Sequence, residues 1–238
     1  MLELKNISFQ AEDEKEILKD VSLKIDDKIV VITGPNGGGK STLAKVIAGI
    51  VIPTGGQILL DGEDITGYSV TERANAGISL AFQQPVRFKG LTVRDLITIA
   101  AGKELNVSEA CSYLSEVGLC AKDYIDRELN ASLSGGEIKR IEIATILARG
   151  SKFSIFDEPE AGIDLWSFQS LIRVFEKMQK EYKGTILIIS HQERILDIAD
   201  KIIYIKDGMV EQYGPKDEIL KTLINAAQPG CDVLMQKI

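Results

Sequence analysis

The chain has 238 residues, 45% hydrophobic and 26% charged, with a formal net charge of −7. That is an ordinary globular composition, long enough for one large domain or a core with a subdomain. The acidic balance leaves no electrostatic footprint for nucleic acid or an anionic membrane surface, so no nucleic-acid partner is expected. No apolar run approaches the ~18–20 residues of a membrane span, and Met1-Leu2-Glu3-Leu4-Lys5 lacks a signal-peptide pattern, so a cytoplasmic protein is expected.

Residues 2–9 and 16–25 read as strands around the charged turn Glu12-Asp13-Glu14-Lys15, predicting an N-terminal antiparallel layer. Ile29–Ile32 is a strand-sized run leading into Gly34-Pro35-Asn36-Gly37-Gly38-Gly39-Lys40-Ser41, and Ser41–Ile50 reads as a helix. Ile58-Leu59-Leu60 before Asp61-Gly62 predicts a strand and turn, and Ser69-x-x-Glu72 a capping box. Ile78–Phe82 returns as a strand that ends at Gln83-Gln84-Pro85.

From Leu91 to about Asn130 the pattern turns helical, with Thr92-x-x-Asp95 capping one helix and 107–117 forming another. Cys111, Cys120 and Cys231 form no CxxC spacing and read as plain thiols of a reducing compartment. In Leu133-Ser134-Gly135-Gly136-Glu137, Ser134 and Glu137 are spaced as a capping box, and Ile138, Ile141 and Thr145 continue at helical spacing. Phe153–Phe156 and Thr185–Ile189 read as buried strands, with an amphipathic helix over 164–182 between them. A helix over 192–199, a closing strand pair at 201–206 and 209–213, and a loosely held tail after Asn225 complete the chain. Strands alternating with helices predict an α/β fold with a mainly parallel sheet covered on both faces.

The loop at 34–41 matches GxxxxGK[ST] at each defined position, between a strand and a helix as that motif requires. Its glycines let backbone N–H groups close on phosphates, and the helix that follows adds a positive N-terminal end. Lys40 is expected on the β- and γ-phosphates, Ser41 on Mg²⁺, and Thr42 continues the binding segment. Asp157 and Glu158 end a buried strand, where adjacent carboxylates are costly without a cation. Asp157 is therefore expected on Mg²⁺ and Glu158 as the base that activates water.

Together, the loop at 34–41 and the pentapeptide at 133–137 resemble the ATP-binding-cassette (ABC) ATPases, over nearly the whole chain. The resemblance implies a single domain over 1–238: a nucleotide-binding core at 1–90 and 131–225, an inserted helical subdomain at 91–130, and a tail at 226–238. It implies ATP and Mg²⁺ as cofactors and ATP hydrolysis as the reaction. The complete site would form between two copies head to tail, with Ser134, Gly135 and Gly136 of one facing ATP on the other.

It also implies that Gln83, rather than the neighbouring Gln84, senses Mg²⁺ and water, and that His191 contacts the γ-phosphate. Asp164 matches the interface aspartate of the D-loop, whereas the usual serine there is Ala161, so one interface hydrogen bond is expected to be missing. The adenine-stacking position falls near Ala11, which leaves stacking weak or supplied by Phe9. Trp166 reads as a half-buried helix residue, with a dimer or partner contact as the other reading.

Three runs further resemble the SufC-type ATPases of iron–sulfur cluster assembly. They are Phe82-Gln83-Gln84-Pro85-Val86, Gly136-Glu137-Ile138-Lys139-Arg140-Ile141-Glu142-Ile143, and Glu158–Asp164, with Ser190-His191-x-x-Arg194-Ile195-Leu196 fitting too. They imply a SufB/SufD-like scaffold docked on residues 83–130. The alternative is the ATP-binding subunit of a membrane ABC transporter with a transmembrane permease partner, peripheral to the membrane. A chromosome-structuring or DNA-repair relative is disfavoured, because no long heptad insertion is present.

Overall fold

A computed structural model describes residues 1–12, 14–84, 86–129 and 133–227. Turn residue Asp13, Pro85 beyond Gln84, the subdomain boundary at Asn130, Pro229-Gly230, Cys231 and the tail from 228 lie outside the described residues. The elements run β1 (Leu2–Gln10), β2 (Glu16–Ile25), β3 (Ile29–Thr33), α1 (Lys40–Ala48), β4 (Gly55–Leu60), β5 (Glu63–Asp64), α2 (Val70–Ala76) and β6 (Ile78–Ala81). There follow α3 (Val93–Ala101), α4 (Val107–Glu116), α5 (Ala121–Tyr124), α6 (Gly135–Arg149), β7 (Phe153–Asp157) and α7 (Leu165–Glu181). The chain closes with β8 (Thr185–Ile189), α8 (Glu193–Asp197), β9 (Lys201–Lys206), β10 (Met209–Pro215) and α9 (Lys216–Ala227).

The strands form two sheets, in the orders β2-β1-β4-β5 and β10-β9-β3-β8-β7-β6. The first is antiparallel; the second is parallel except for the β10–β9 pair. β3 shows why its run is apolar without alternation. Ile29 and Val31 enter the cluster beneath α3, α4, α6 and α7, while Val30 and Ile32 enter the one shared with α1 and the antiparallel layer. A strand covered on both faces has no polar side.

Sequence and structure differ at several places. The helix after the glycine loop begins at Lys40, and β6 stops at Ala81, one residue short of Phe82. α5 and α9 were not expected. α9 exists because Ile219, Leu220 and Leu223, at helical spacing, pack onto the first cluster. α3, α4 and α5 fall within 91–130 and share that cluster with α6.

α1 ends against an unusual partner. Arg73 of α2 is 1% exposed, and its guanidinium donates to the carbonyls of Val46 (2.6 Å), Ile47 (2.9 Å), Thr66 (2.7 Å) and Tyr68 (3.2 Å). The last carbonyls of a helix have no partner within it, so this side chain closes the helix that carries Lys40 and Ser41. Arg73→Met leaves Val46 its Gly49 N–H but strands the Ile47, Thr66 and Tyr68 acceptors, and is expected to cost about 3 kcal/mol or more, lowering Tm by roughly 6–12 °C. Thermal unfolding checks this; a fall below about 2 °C would mean that the carbonyls find other donors.

Candidate functional site

Parallel strands end on the same side of their sheet. β3, β6, β7 and β8 therefore release the glycine loop, Gln83, Asp157-Glu158 and Ser190-His191 at one edge.

The glycine loop is shaped by close approach. Gly34 has φ 137°, and a Cβ there would lie 1.9 Å from the Ile205 carbonyl oxygen; Gly39, at φ 101°, would meet Leu18 at 2.9 Å. Only glycine fits both the backbone and the space. Lys40 turns back over the loop, its Nζ donating to the carbonyls of Gly34 (2.7 Å) and Pro35 (2.9 Å). Burial pushes its pKa down, against the opposing pull of Glu158 and Asp157. α2, α3, α4 and α6 close their N-termini with capping boxes, but Gly39 offers α1 no side-chain cap. The N-terminal N–H groups of α1 thus face the loop without a side-chain acceptor, as an anion requires.

Opposite the loop, Ser41 Oγ donates to Asp157 Oδ1 at 3.0 Å. Asp157 is 6% exposed; burial raises its pKa, the Ser41 hydroxyl lowers it and Glu158 raises it again. Glu158 sits at φ 44°, a left-handed conformation that costs a non-glycine residue on the order of 1–3 kcal/mol. The turn is pinned by its N–H on the Ile189 carbonyl (2.9 Å) and its carbonyl on the Ala161 N–H (3.0 Å). Gln83 Nε2 donates to Glu158 Oε2 at 2.5 Å.

These groups border a cavity of about 680 Å³, within the range of nucleotide-sized sites. Of the sequence-predicted residues, Asn36, Gly37, Gly38, Gly39, Lys40, Ser41, Thr42, Gln83, Glu158 and His191 line it. Gly34 and Pro35 lie behind it, holding Lys40, and Asp157 joins it through Ser41. The donors beside Asp157 are a hydroxyl, a carboxylate and an amide, a set that suits a hard divalent cation such as Mg²⁺. Gln84 does not line the cavity. Neither do Ala11 or Phe9, which packs against the core instead. Stacking by Phe9 therefore finds no support, and Ile17 is the apolar residue on that wall. Lys15, Lys19 and the Asp207-Gly208 turn also border the cavity. Nothing in their local sequence marks them, since the fold brings β2 and the β9–β10 hairpin to the loop.

Beside His191, Ser190 Oγ accepts the Gln192 N–H (3.0 Å) and donates to Glu160 Oε1 (2.5 Å). Burial raises the Glu160 pKa, partly offset by Ser190. By its sequence Glu160 is only part of a loop; its hydrogen bond to Ser190 makes it the anchor of the histidine segment.

Ser134, Gly135 and Gly136 stand apart from the cavity. Ser134 caps α6: its Oγ accepts the Glu137 N–H (3.3 Å), and its own N–H donates to Glu137 Oε2 (2.6 Å). Gly136 lies against Ser167 and Ile163, next to the loop that carries Ala161 and Asp164. Asp164 Oδ1 accepts the N–H groups of Trp166 and Ser167 (3.0 Å each), capping α7. Trp166 is 77% exposed and Leu165 65%, which corrects the expectation of a half-buried tryptophan. Both lie at the first turn of α7, where the chain has just left the loop and no element covers them. Cys111 is half-buried on α4 and Cys120 is exposed.

The raised Asp157 pKa carries a sign. In the folded chain its charge is disfavoured, so the penalty is absent below the unfolded carboxylate pKa of about 3.9 and complete above the raised folded value. Without nucleotide or Mg²⁺, Asp157→Asn is expected to raise Tm by roughly 2–4 °C at pH 8 and by nothing near pH 4. A variant no more stable than the parent at pH 8 would show that Ser41 fully offsets the burial.

A family model described as "ABC transporter" matches residues 18–161. An uncharacterized ABC transporter ATP-binding protein of Methanocaldococcus jannaschii is 39% identical over 214 residues, covering 86% of this chain and 85% of that protein. Among solved structures, a dimeric post-hydrolysis state of the ATP-binding cassette MJ0796 bound to ADP and Pi superposes with TM-score 0.80 at 26% identity, over 91% of this chain and 99% of that one. CbiO1 of Clostridium perfringens, part of the ABC transporter complex cbiONQ, gives TM-score 0.77 at 28% identity, over 95% and 93%. With the α/β cassette fold and a glycine loop facing Asp157 and Glu158, these likenesses identify the chain as a member of the ABC transporter family, of the ATP-binding-cassette type.

Proposed function

We propose that the chain is the ATP-binding and ATP-hydrolysing subunit of a membrane ABC transporter, acting as a pair of copies. The observation that carries the pairing is the separation of the signature from the cavity: Lys40, Ser41, Gln83, Glu158 and His191 border it, and Ser134–Gly136 do not. A second copy, placed head to tail, brings its Ser134 hydroxyl and α6 N-terminus to the open side of the bound nucleotide. The uncovered Leu165 and Trp166, beside Asp164 and Ser167, suit the same contact.

On this reading Lys40 and the loop N–H groups hold the phosphates, and Ser41, Asp157 and Gln83 hold Mg²⁺, which supplies charge neutralisation. Glu158 takes the proton of the attacking water while Gln83 orients it, and His191 contacts the γ-phosphate. The boundaries 1–90 and 131–225 for the core and 91–130 for the helical subdomain belong to the same reading.

The permease reading draws on the relatives, which are named as transporter ATP-binding proteins; the CbiO1 structure belongs to a transporter complex. Among the described residues no helix is long and apolar enough to cross a membrane, so attachment would run through the partner. A groove of about 270 Å³ between the core and the helical segment, lined by Ile50, Val70, Phe82 and Arg149 among others, offers an apolar docking surface. The SufC-like runs imply a SufB/SufD-like scaffold instead, which the names of the relatives given above do not support. It remains the second reading because two residues of the SufC-like run, Lys139 and Glu142, both engage Phe82 at the edge of this groove.

Glu158→Gln is expected to lower ATP turnover about 10²- to 10⁴-fold while retaining ATP, and to shift the protein to a dimer with ATP and Mg²⁺. Turnover and light scattering read both; normal turnover removes Glu158 as the base. Affinity isolation of the native complex is expected to recover an integral membrane partner, and recovery of a soluble scaffold instead overturns the transporter reading.

A further inference from the structure

Two charged side chains of α6 are held on the backbone groups of one residue outside that helix. Lys139 is 1% exposed, and its Nζ donates to the Phe82 carbonyl. Glu142 Oε1 accepts the Phe82 N–H at 3.1 Å, and its Oε2 lies 3.6 Å from Lys139 Nζ. Phe82 follows β6, the outermost strand of its sheet, so beyond it no further strand is available for its backbone groups. The ion pair fills the role of that missing strand.

Stability alone does not account for the arrangement. Burial pushes Lys139 down and Glu142 up in pKa, each opposed by the other's charge. Buried ion pairs are often matched or bettered by apolar residues of similar volume, so what such a pair adds is fixed geometry. Here the geometry is passed on at once: the next residue is Gln83, whose amide lies 2.5 Å from Glu158. The helix that starts at Ser134 thus grips the backbone just ahead of the glutamine in the cavity.

We propose that Lys139 and Glu142 are positioning residues that lock Gln83 over Glu158 and make its placement follow that of α6. A displacement of the signature helix, when a second copy engages Ser134, is then felt at Gln83 through two hydrogen bonds to Phe82. The proposal rests on the reading of Gln83 and Glu158 as hydrolytic groups.

The test is the double variant K139M/E142L, which removes both charges together and leaves neither stranded. Two quantities are read: steady-state ATP hydrolysis with Mg²⁺, and hydrogen exchange of the Phe82 amide in the nucleotide-free protein. Expected are a kcat about ten- to hundredfold lower, a KM for ATP within about threefold, and loss of Phe82 protection. Ile143→Val, buried on the same helix with no hydrogen bond to Phe82, is the control: it lowers Tm and is expected to keep kcat. Retained Phe82 protection in the double variant refutes the clamp, and lost protection with unchanged kcat refutes its role in positioning. If the parent hydrolyses no ATP, the reading of function falls and the exchange arm still decides the clamp. Should the double variant not fold, Glu142→Gln, with its weaker acceptor, is expected to speed Phe82 exchange and lower kcat; no change in either overturns the proposal.

Discussion

Parallel pairing of β3, β8, β7 and β6 is the constraint on which the remaining structure depends. It brings four strand ends to one edge and so gathers groups from positions 36 to 191 into one cavity. The same pairing requires every strand to be buried on both faces, which demands α1 and the antiparallel layer on one side and α3, α4, α6 and α7 on the other. The chain must leave each strand end sharply, and Glu158 adopts its left-handed conformation at such an exit. The backbone strain there persists because the Ile189 and Ala161 contacts over-determine the turn.

Charge in the site is kept against the interest of the fold. Asp157 and Glu160 are carboxyls whose burial opposes ionisation, while burial opposes the charge on Lys40. An apolar set would pack at lower cost, but it would bind neither phosphate nor a divalent cation. Lys139 and Glu142 extend this pattern away from the cavity. On the reading proposed above, α6 then has two tasks: its first residues address a neighbouring copy, and its second turn holds the residue ahead of Gln83.

Much of this was legible in the residues. The capping boxes at Ser69, Thr92 and Ser134 are local patterns, and each forms as its spacing implies. The β3–loop–α1 unit was equally clear, because glycine, lysine and serine at that spacing have little other use. Phe82 reads as strand because its apolar character continues the run, whereas its backbone partners are side chains 57 and 60 positions away. Trp166 was misread because amphipathic spacing says which face of a helix is apolar, not whether something covers the first turn. α9 escaped notice because its buried side depends on a cluster built by distant helices.

The sequence alone determined the fold class and the chemistry of the phosphate loop, since both rest on local periodicity and on residue types at short spacing. The pentapeptide at 133–137 announced its helix in the same way. Only the tertiary structure decided that the Gln83 amide meets the Glu158 carboxylate, that Phe9 turns into the core, and that Lys139 and Glu142 bind the backbone of Phe82. Each of these depends on which distant strand end or helix face lies opposite, and no spacing along the chain encodes that.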